Sequence, residues 1–261
     1  MTDALALGLI TAVAVGLSAG YLGSLMVLKK MALVGDALSH VALPGLGLGI
    51  LYGFNPFFGG FVFLFVAAAL IWRIERVTRL SVETIVGALF TLSLAAGILI
   101  IPQFDLLEAL FGDISKVTME STVIAVTASA IAALVTRIIY KNMILGMISE
   151  ELATSAGVKV ARTNLLYLFL VSLTVAAGLQ VVGTLLVGFL VVVPAASAKN
   201  LSSNLFRYGV LSSAFGGISA VSGILLSDYF KLQPGPLIVV SGVVAFLVTI
   251  ITRWAAKAPA L

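Results

Sequence analysis

The sequence contains no cysteine, a single histidine and few charged residues. The missing cysteines exclude disulfide bridges, thiolate metal ligands and cysteine nucleophiles. Charged residues make up 10% of the chain, whereas a typical soluble domain has about 25%. The sequence also lacks a Gly-x-x-x-x-Gly-Lys-Ser/Thr motif, so we do not expect this chain to hydrolyse ATP. Few residues are therefore left to carry chemistry.

Apolar residues dominate instead. They make up 61% of the 261 residues, the mean hydropathy is +1.20, and there are 25 glycines, which suit closely packed membrane helices. We therefore expect an all-α polytopic membrane protein in which residues 1–261 form one transmembrane domain. The net charge of +4 does not indicate nucleic-acid binding, because the basic residues fall between apolar segments.

The apolar segments predict about nine transmembrane helices, with eight also possible. A span needs roughly 20 apolar residues. The candidates are 4–28, 37–54, 56–72, 82–101, 120–140, 163–179, 181–198, 208–228 and 236–253. Two links are very short, Asn55-Pro56 and the stretch from Gln180 to Gly183. Each of these pairs of segments is also compatible with one broken helix.

The basic residues predict the orientation in the membrane. They cluster after the odd-numbered spans, and so on one side if there are nine spans with the N-terminus outside. These residues are Lys29, Lys30, Arg73, Arg76, Arg79, Arg137, Lys141, Lys159, Arg162, Lys199, Arg207, Arg253 and Lys257. The positive-inside rule assigns that side to the cytoplasm, which places the C-terminus there. The opposite side carries the acidic residues Asp105, Glu108, Asp113 and Glu120.

Asp36 and His40 stand out in the run from Gly35 to Gly45. They are four residues apart, so on a helix both side chains share one face. Ionisable residues inside a membrane are costly and usually functional, and a carboxylate with an imidazole makes half of a metal site. The alternative is that Asp36 caps a helix at the membrane interface, with His40 one turn later. If Lys29 and Lys30 mark the cytoplasm, the pair lies toward the inner end of its span. A site at the middle of the membrane would require the first span to end early or residues 29–36 to dip into the protein.

Pro44 and Gly45 follow the pair. Proline has no N–H, so the carbonyl of His40 loses its usual helical partner and needs another donor, a water or a cation. One interpretation is an ordinary proline kink, with Gly45 and Gly49 as a helix-packing face. The other is that Pro44 and Gly45 line an ion path or gate.

The segment Ser149 to Val158 predicts a short helix on the cytoplasmic side. Ser149 suits its N-cap, Glu150 and Glu151 suit its first turn, and Gly157 suits its C-cap. It is either an amphipathic helix on the membrane surface or a docking helix for a cytoplasmic partner. In the second case the small residues Ala153 and Ala156 would fit a groove.

The run Gly-Asp-Ala-Leu-Ser-His-x-x-Leu-Pro-Gly at residues 35–45 resembles the hallmark of the permease subunits of the zinc/manganese/iron ABC importers. Further stretches resemble the same family in the same order, and together they cover nearly the whole chain. They are residues 83–87, 110–114, 150–158, 187–198 and 233–236.

This resemblance implies an importer in a prokaryotic cell (inner) membrane. Two copies of the subunit would pair around a translocation path, so that Asp36 and His40 from both copies hold a manganese, zinc or iron ion. A separate ATPase dimer would bind below, and each ATPase would take one coupling helix through Glu150, Glu151, Ala153 and Gly157. A metal-binding protein would deliver the ion from outside.

Two other classes remain as alternatives. A secondary carrier driven by a proton gradient needs no ATPase and should contain inverted repeats, and the two halves of this chain show no convincing repeat. An intramembrane metalloenzyme needs a third ligand or a nucleophile near Asp36 and His40, which the single histidine argues against.

Overall fold

A computed structural model describes residues 2–78, 80–101 and 109–257. This part of the chain is almost wholly α-helical and contains no strand. The predictions for Arg79, Asp105 and Glu108 lie outside the described residues. The helices are α1 (Thr2–Leu28), α2 (Ala32–Val41), α3 (Leu43–Tyr52), α4 (Pro56–Thr78), α5 (Val82–Ile100), α6 (Met119–Ile148), α7 (Glu150–Ser155), α8 (Val160–Val182), α9 (Thr184–Leu201), α10 (Leu205–Phe230) and α11 (Pro234–Lys257), with a 3-10 turn at Ile114–Lys116.

The described residues contain eight helical segments that are long and apolar enough to cross a membrane, and α2 and α3 together form one of them. Helix α9 is a ninth apolar helix of 18 residues with Pro194 inside it. Its length is about 27 Å, slightly less than the roughly 30 Å hydrocarbon core of a bilayer. The all-α polytopic fold is therefore confirmed, and the choice between eight and nine spans depends on this one short helix.

Both short links separate distinct helices. Between α3 and α4, Gly53 adopts a left-handed φ of 71°, and the side chain of Asn55 accepts a hydrogen bond from the Phe57 amide at 3.0 Å. Between α8 and α9 the link is Gly183 alone, with a φ of 74°. Residues with a Cβ rarely adopt a positive φ, so glycine suits both links. At Asn55 the two helices are separate candidate spans, so the broken-helix alternative is wrong there. At Gly183 a full-length span is followed by the shorter helix α9.

Helix α1 lies at the centre of the bundle and packs on α6, α9 and α10. Its closest neighbour is α10, where Gly16 meets the backbone of Gly216 and Gly20 meets the backbone of Ser212. A Cβ on Gly16 would lie 2.9 Å from the carbonyl carbon of Gly216. The small residues thus let two backbones touch, as expected for membrane helices.

Helices α2 and α3 form one interrupted span. The interruption is at Ala42, two residues before Pro44, because proline cannot donate the next helical hydrogen bond. The span extends over Ala32–Tyr52, five residues earlier at its start than the sequence predicts. It packs between α9 on one side and α4 and α5 on the other, and this arrangement positions the candidate site.

Candidate metal site

Asp36 and His40 both lie on α2, one turn apart. His40 is two residues from the middle of the Ala32–Tyr52 span, and Asp36 is six residues from it. These offsets correspond to about 3 Å and about 9 Å along a helix axis. Because the span starts early, His40 lies near the middle of this apolar helical segment, as a midplane site would require.

Asp36 does not cap a helix. Helix α2 begins at Ala32 with Met31 as its N-cap, so Asp36 is the fifth residue of the helix. Its own carbonyl accepts a hydrogen bond from the hydroxyl of Ser39 at 2.6 Å. The side chain of Asp36 is exposed in this single chain. The interfacial-cap alternative is therefore wrong.

The imidazole of His40 is buried, with 5% of the residue exposed. Its Nδ1 has no hydrogen-bond partner among the described residues. The other buried polar side-chain atoms in that condition are all hydroxyls, of Ser129, Thr136, Thr174, Thr184 and Tyr208. The imidazole and the ring of Phe90 on α5 pack in a T-shaped arrangement, with 5.1 Å between centroids and 72° between planes. The Asp36 carboxylate is near enough to interact electrostatically with the imidazole.

Gly188 on α9 provides the space for Asp36. A Cβ on Gly188 would lie 2.7 Å from Oδ1 of Asp36 and would overlap its Cα. Neither Gly188 nor Phe90 is among the residues that sequence reasoning proposes for the site. Gly188 could have been found, because a glycine within an apolar helix often marks a place where another helix approaches closely. Nothing in the spacing of the sequence points to Phe90, because its contact with His40 depends on how α5 packs against α2.

Pro44 and Gly45 are both buried. A Cβ on Gly45 would overlap the carbonyl of Gly59 on α4, and a Cβ on Gly49 would lie 2.5 Å from the Cα of Pro56. The helix-packing interpretation of Gly45 and Gly49 is therefore confirmed. That Pro44 and Gly45 also line an ion path stays a prediction.

The described residues of one chain contain no cluster of three or more His, Cys, Asp or Glu side chains. Asp36 and His40 thus supply one carboxylate and one imidazole. Such a mixed oxygen and nitrogen pair suits manganese, zinc or ferrous iron. Two ligands do not complete a protein metal site, which typically has four or more.

An open cavity of about 330 Å³ lies beyond α3, on the side that the sequence assigns to the outside. Leu46 and Ile50 of α3 line it, together with Asn55, Asp113 and Lys116. The cavity therefore begins one turn beyond the helix break at Ala42 and ends among polar groups of the outer loops. It gives the outer half of α3 an opening to polar surroundings.

The segment after α6 forms the predicted short helix, α7. The hydroxyl of Ser149 accepts a hydrogen bond from the Leu152 amide at 3.2 Å. At the other end Gly157 has a φ of 80°, and the Val158 amide donates to the Ala153 carbonyl at 2.9 Å. Ser149 is thus the expected N-cap, whereas the C-cap is Ala156 and Gly157 is the residue that follows it.

The predicted docking face of α7 needs one correction. Ala153 is fully buried within this chain, because its methyl group is on the side of the helix that packs against the bundle. Glu150, Glu151 and Ala156 are exposed. The surface that α7 exposes therefore consists of its carboxylates, the side chain of Leu152 and its C-terminal end.

Lys29 connects the start of α2 to the region of α7. It lies in the turn before α2, and its Nζ donates to the side-chain oxygen of Asn164 on α8 at 3.0 Å. Burial lowers the pKa of Lys29, and the negative charge of Glu75 on α4 opposes this shift. Glu75 in turn interacts electrostatically with Glu150, the first residue of α7. Electrostatic interactions thus link the turn before α2 with α4 and with the first turn of α7.

Known proteins support the family predicted from residues 35–45. The model of the ABC 3 transport family matches residues 1–253. The manganese import system permease protein ScaB of Streptococcus parasanguinis is 32% identical over 245 residues, which cover 92% of this chain and 88% of that protein. The high-affinity zinc uptake system membrane protein ZnuB of Buchnera aphidicola is 30% identical over 236 residues, which cover 88% of this chain and 90% of that protein.

The fold agrees with these matches. The structure of PsaBC from Streptococcus pneumoniae in complex with Fab superposes with a TM-score of 0.82 at 32% sequence identity. The superposition covers 93% of this chain and 89% of the other. The chain therefore belongs to the ABC 3 transport family and is a multi-pass membrane permease of the type found in metal-importing ABC transporters.

Proposed function

We propose that this chain is the ion-conducting permease subunit of an ATP-driven importer for a divalent transition metal in a bacterial inner membrane. Two copies pair, and the ion passes between the Asp36 and His40 side chains of both. One observation carries this proposal. The Nδ1 atom of His40 is buried near mid-span without a hydrogen-bond partner in the described residues, next to an exposed carboxylate.

The energetics of burial support a ligand at this place. A buried polar atom without a partner costs about 1–3 kcal/mol, and two carboxylates held together away from water repel each other. A divalent cation between two copies accepts the lone pairs of two imidazoles and neutralises a formal charge of −2. The cost of the empty site is then offset when the ion enters.

The face around Asp36 supports the pairing of two copies. Leu33 is three residues before Asp36, on the same side of α2, and is 74% exposed. An exposed leucine beside an exposed carboxylate suits a surface that a second copy covers, since lipid would cover the leucine but leave the carboxylate unpaired. Pairing across this face completes the set of four ligands that a single chain lacks.

The ligand type and the relatives narrow the choice of metal. Relatives are named for manganese import and for zinc uptake, and oxygen with nitrogen ligands suits both ions. Ferrous iron fits the same ligands. The outer cavity over α3 is the entry for the ion, which a separate metal-binding protein delivers.

Helix α7 is the contact for a separate ATPase dimer. Its exposed Glu150 and Glu151 face away from the bundle, whereas Ala153 anchors the helix to it. Movement of α7 changes the surroundings of Glu75 and, through Lys29, the turn that precedes α2. ATP binding and hydrolysis would reach the metal site by this route. The secondary-carrier alternative is not favoured, because the relatives belong to an ABC transport family.

Reconstitution in proteoliposomes tests the proposal. The permease is combined with its ATPase, and uptake of radiolabelled manganese and zinc is measured with and without ATP. We expect uptake only with both ATPase and ATP. Asp36→Ala and His40→Ala should each lower uptake by at least about 100-fold, because losing a group that only supports a metal ligand already costs about 10–100-fold, while assembly with the ATPase stays intact.

Ser129→Ala is the matched control for His40→Ala. It also removes a buried polar atom without a partner among the described residues, but it lies on α6, which packs on α1 and α8 rather than on α2. Its uptake should equal that of the wild type. Normal uptake by His40→Ala, or uptake driven by a proton gradient without the ATPase, would contradict the proposal.

The contact through α7 is tested separately. Glu151→Lys reverses an exposed charge on α7 and should leave the fold unchanged, because surface substitutions usually alter stability by less than about 0.5 kcal/mol. We expect weaker ATPase binding and a lower ratio of metal transported to ATP hydrolysed. Glu83→Lys, which makes the same change in the first turn of α5, is the control. Equal coupling ratios in the two variants would remove α7 as the contact.

A further inference from the structure

A second open cavity, of about 480 Å³, lies on a different side of the bundle from α2. It is a groove between α1, α6 and α10, and we call it the α6 groove. Its lining consists of Tyr21, Arg137, Tyr140, Lys141, Ile144, Leu145, Ile148, Leu205, Phe206 and Val210. The groove is thus apolar and aromatic except for two cations, and no acidic residue lines it.

Arg137 and Lys141 lie four residues apart on α6, so their side chains project from the same face. Both are exposed, and neither makes an ion pair with the residues that the structure describes. Two like charges held close together without a counter-ion repel each other. An anionic group in the groove would remove this repulsion and bind both cations.

The depth of the two cations matches the boundary between hydrocarbon and headgroups. Helix α6 has 30 residues and is therefore about 45 Å long, longer than the roughly 30 Å hydrocarbon core. Arg137 is about 27 Å and Lys141 about 33 Å along the helix from Met119, its first residue. Met119 follows the loop assigned to the outside, so the cations lie at the level of the headgroups of the cytoplasmic leaflet.

The shape of the groove suits a chain of methylenes beside a charged group. The ring of Tyr21 stacks on that of Tyr140 with centroids 5.6 Å apart, and the Tyr140 hydroxyl is 3.3 Å from that of Ser24. Gly209 leaves room for the Tyr21 ring, since a Cβ there would lie 2.8 Å from its Cε2 atom. Phe206 and Val210 are exposed along the edge of the groove. An acyl chain would cover these apolar side chains.

We propose that the α6 groove is a binding site for an anionic phospholipid, with the lipid phosphate on Arg137 and Lys141 and an acyl chain along the apolar lining. A guanidinium matches the planar pair of phosphate oxygens, and the ammonium adds a second charge. Basic pockets between membrane helices on the cytoplasmic side bind acidic headgroups in this way. A zwitterionic lipid carries its own cation and gains less from the same contacts.

Native mass spectrometry of the purified permease tests this site. The protein is incubated with equal amounts of phosphatidylglycerol and phosphatidylcholine, and the retained lipids are counted. We expect the wild type to retain phosphatidylglycerol preferentially. Each cation near a membrane surface contributes about a factor of five in affinity, so Arg137→Gln/Lys141→Gln should bind phosphatidylglycerol about 30-fold more weakly.

Two variants serve as controls for folding and for net charge. Lys159→Gln/Arg162→Gln removes the same two charges from an exposed segment of the same side that does not line the groove, and it should keep the preference. Arg137→Lys/Lys141→Arg keeps both charges in place and should keep most of it. Equal retention of the two lipids by the wild type, or an unchanged preference in the Gln double variant, would overturn the proposal.

Two further measurements distinguish a bound lipid from other occupants of the groove. An excess of inorganic phosphate should not displace the lipid, because phosphate lacks the acyl chain; displacement would mean that the groove binds free phosphate instead. The preference should persist when the permease is bound to its ATPase. Its loss on ATPase binding would assign the groove to that protein interface and overturn the lipid site.

Discussion

Among the helix pairs that approach each other through glycine, α1 with α10 and α2 with α9 make an instructive comparison. In the first pair Gly16 meets the backbone of Gly216. In the second pair Gly188 meets the backbone and carboxylate of Asp36. The local packing device is the same, because in both places a missing Cβ lets two backbones approach closely. The difference is in what the small residue faces.

At α1 and α10 the two serine hydroxyls beside the close approach are hydrogen-bonded within the pair. The hydroxyl of Ser213 donates to the Leu17 carbonyl at 2.8 Å, and that of Ser212 donates to the Tyr208 carbonyl at 2.7 Å. At α2 and α9 the close approach leaves Asp36 exposed and the Nδ1 of His40 without a partner in the described residues. We therefore interpret close packing at a glycine as structural when the hydroxyls beside it are hydrogen-bonded. We interpret it as part of a functional site when it supports an ionisable pair such as Asp36 and His40.

The largest effect is expected from Gly16→Val. Its branched side chain would overlap the Gly216 carbonyl and approach Ala220, whose Cβ lies 3.3 Å from the position of a Cβ on residue 16. Overpacking of this kind costs about 3 kcal/mol. We expect a clear loss of thermal stability and of folded protein in detergent, while each folded molecule transports metal normally.

Gly87→Val is the control for this substitution. Gly87 lies on α5, and a Cβ there would meet nothing within 4 Å, so the change should alter thermal stability little. If Gly16→Val were as stable as Gly87→Val, the close approach of α1 and α10 would not contribute to stability. If Gly16→Val also abolished metal transport per folded molecule, α1 and α10 would have a role in transport as well as in stability, and the two helix pairs would not differ in function.

Much of the fold follows from the sequence, because span length, turn residues and caps act locally. The turns at Asn55 and Gly183 and the capped helix from Ser149 to Gly157 are of this type. The start of the second span was harder to predict. Lys29 and Lys30 suggest a boundary with water, yet Lys29 is partly buried against Asn164, and the helix resumes at Ala32. Tertiary contacts shorten the turn in a way that composition does not reveal.

Sequence reasoning predicts two residues of the candidate site but not the two that pack against them. The spacing of Asp36 and His40 predicts a shared helical face, which the structure confirms. Phe90 and Gly188 are more than 45 residues away along the chain, and only the packing of α5 and α9 against α2 brings them to the pair. Sequence reasoning also predicts that Ala153 faces a cytoplasmic partner. In the structure Ala153 is buried, because this side of α7 packs against the bundle.

Gly188→Ala is expected to have the smaller effect on stability and a specific effect on metal. The added methyl group would lie 2.7 Å from Oδ1 of Asp36 and would overlap the backbone of α2. Because α2 is open on the side of Asp36, it can shift outward, so we expect a loss of about 1–2 kcal/mol. The shift moves a proposed ligand, and misplacing a metal ligand costs about 10-fold or more in affinity. Equilibrium metal binding and thermal unfolding, measured on the same sample, separate the two quantities.

Gly146→Ala makes the comparison decisive. A Cβ at position 146 would lie 3.4 Å from the Cγ1 atom of Val160, an ordinary contact, so this variant should keep both its stability and its metal affinity. Gly16→Val should lose stability and keep metal affinity, and Gly188→Ala should lose more metal affinity than its modest destabilisation explains. Should Gly188→Ala bind metal as tightly as Gly146→Ala, the carboxylate of Asp36 would not need the position that α9 gives it. Asp36 would then be an exposed carboxylate rather than a placed ligand.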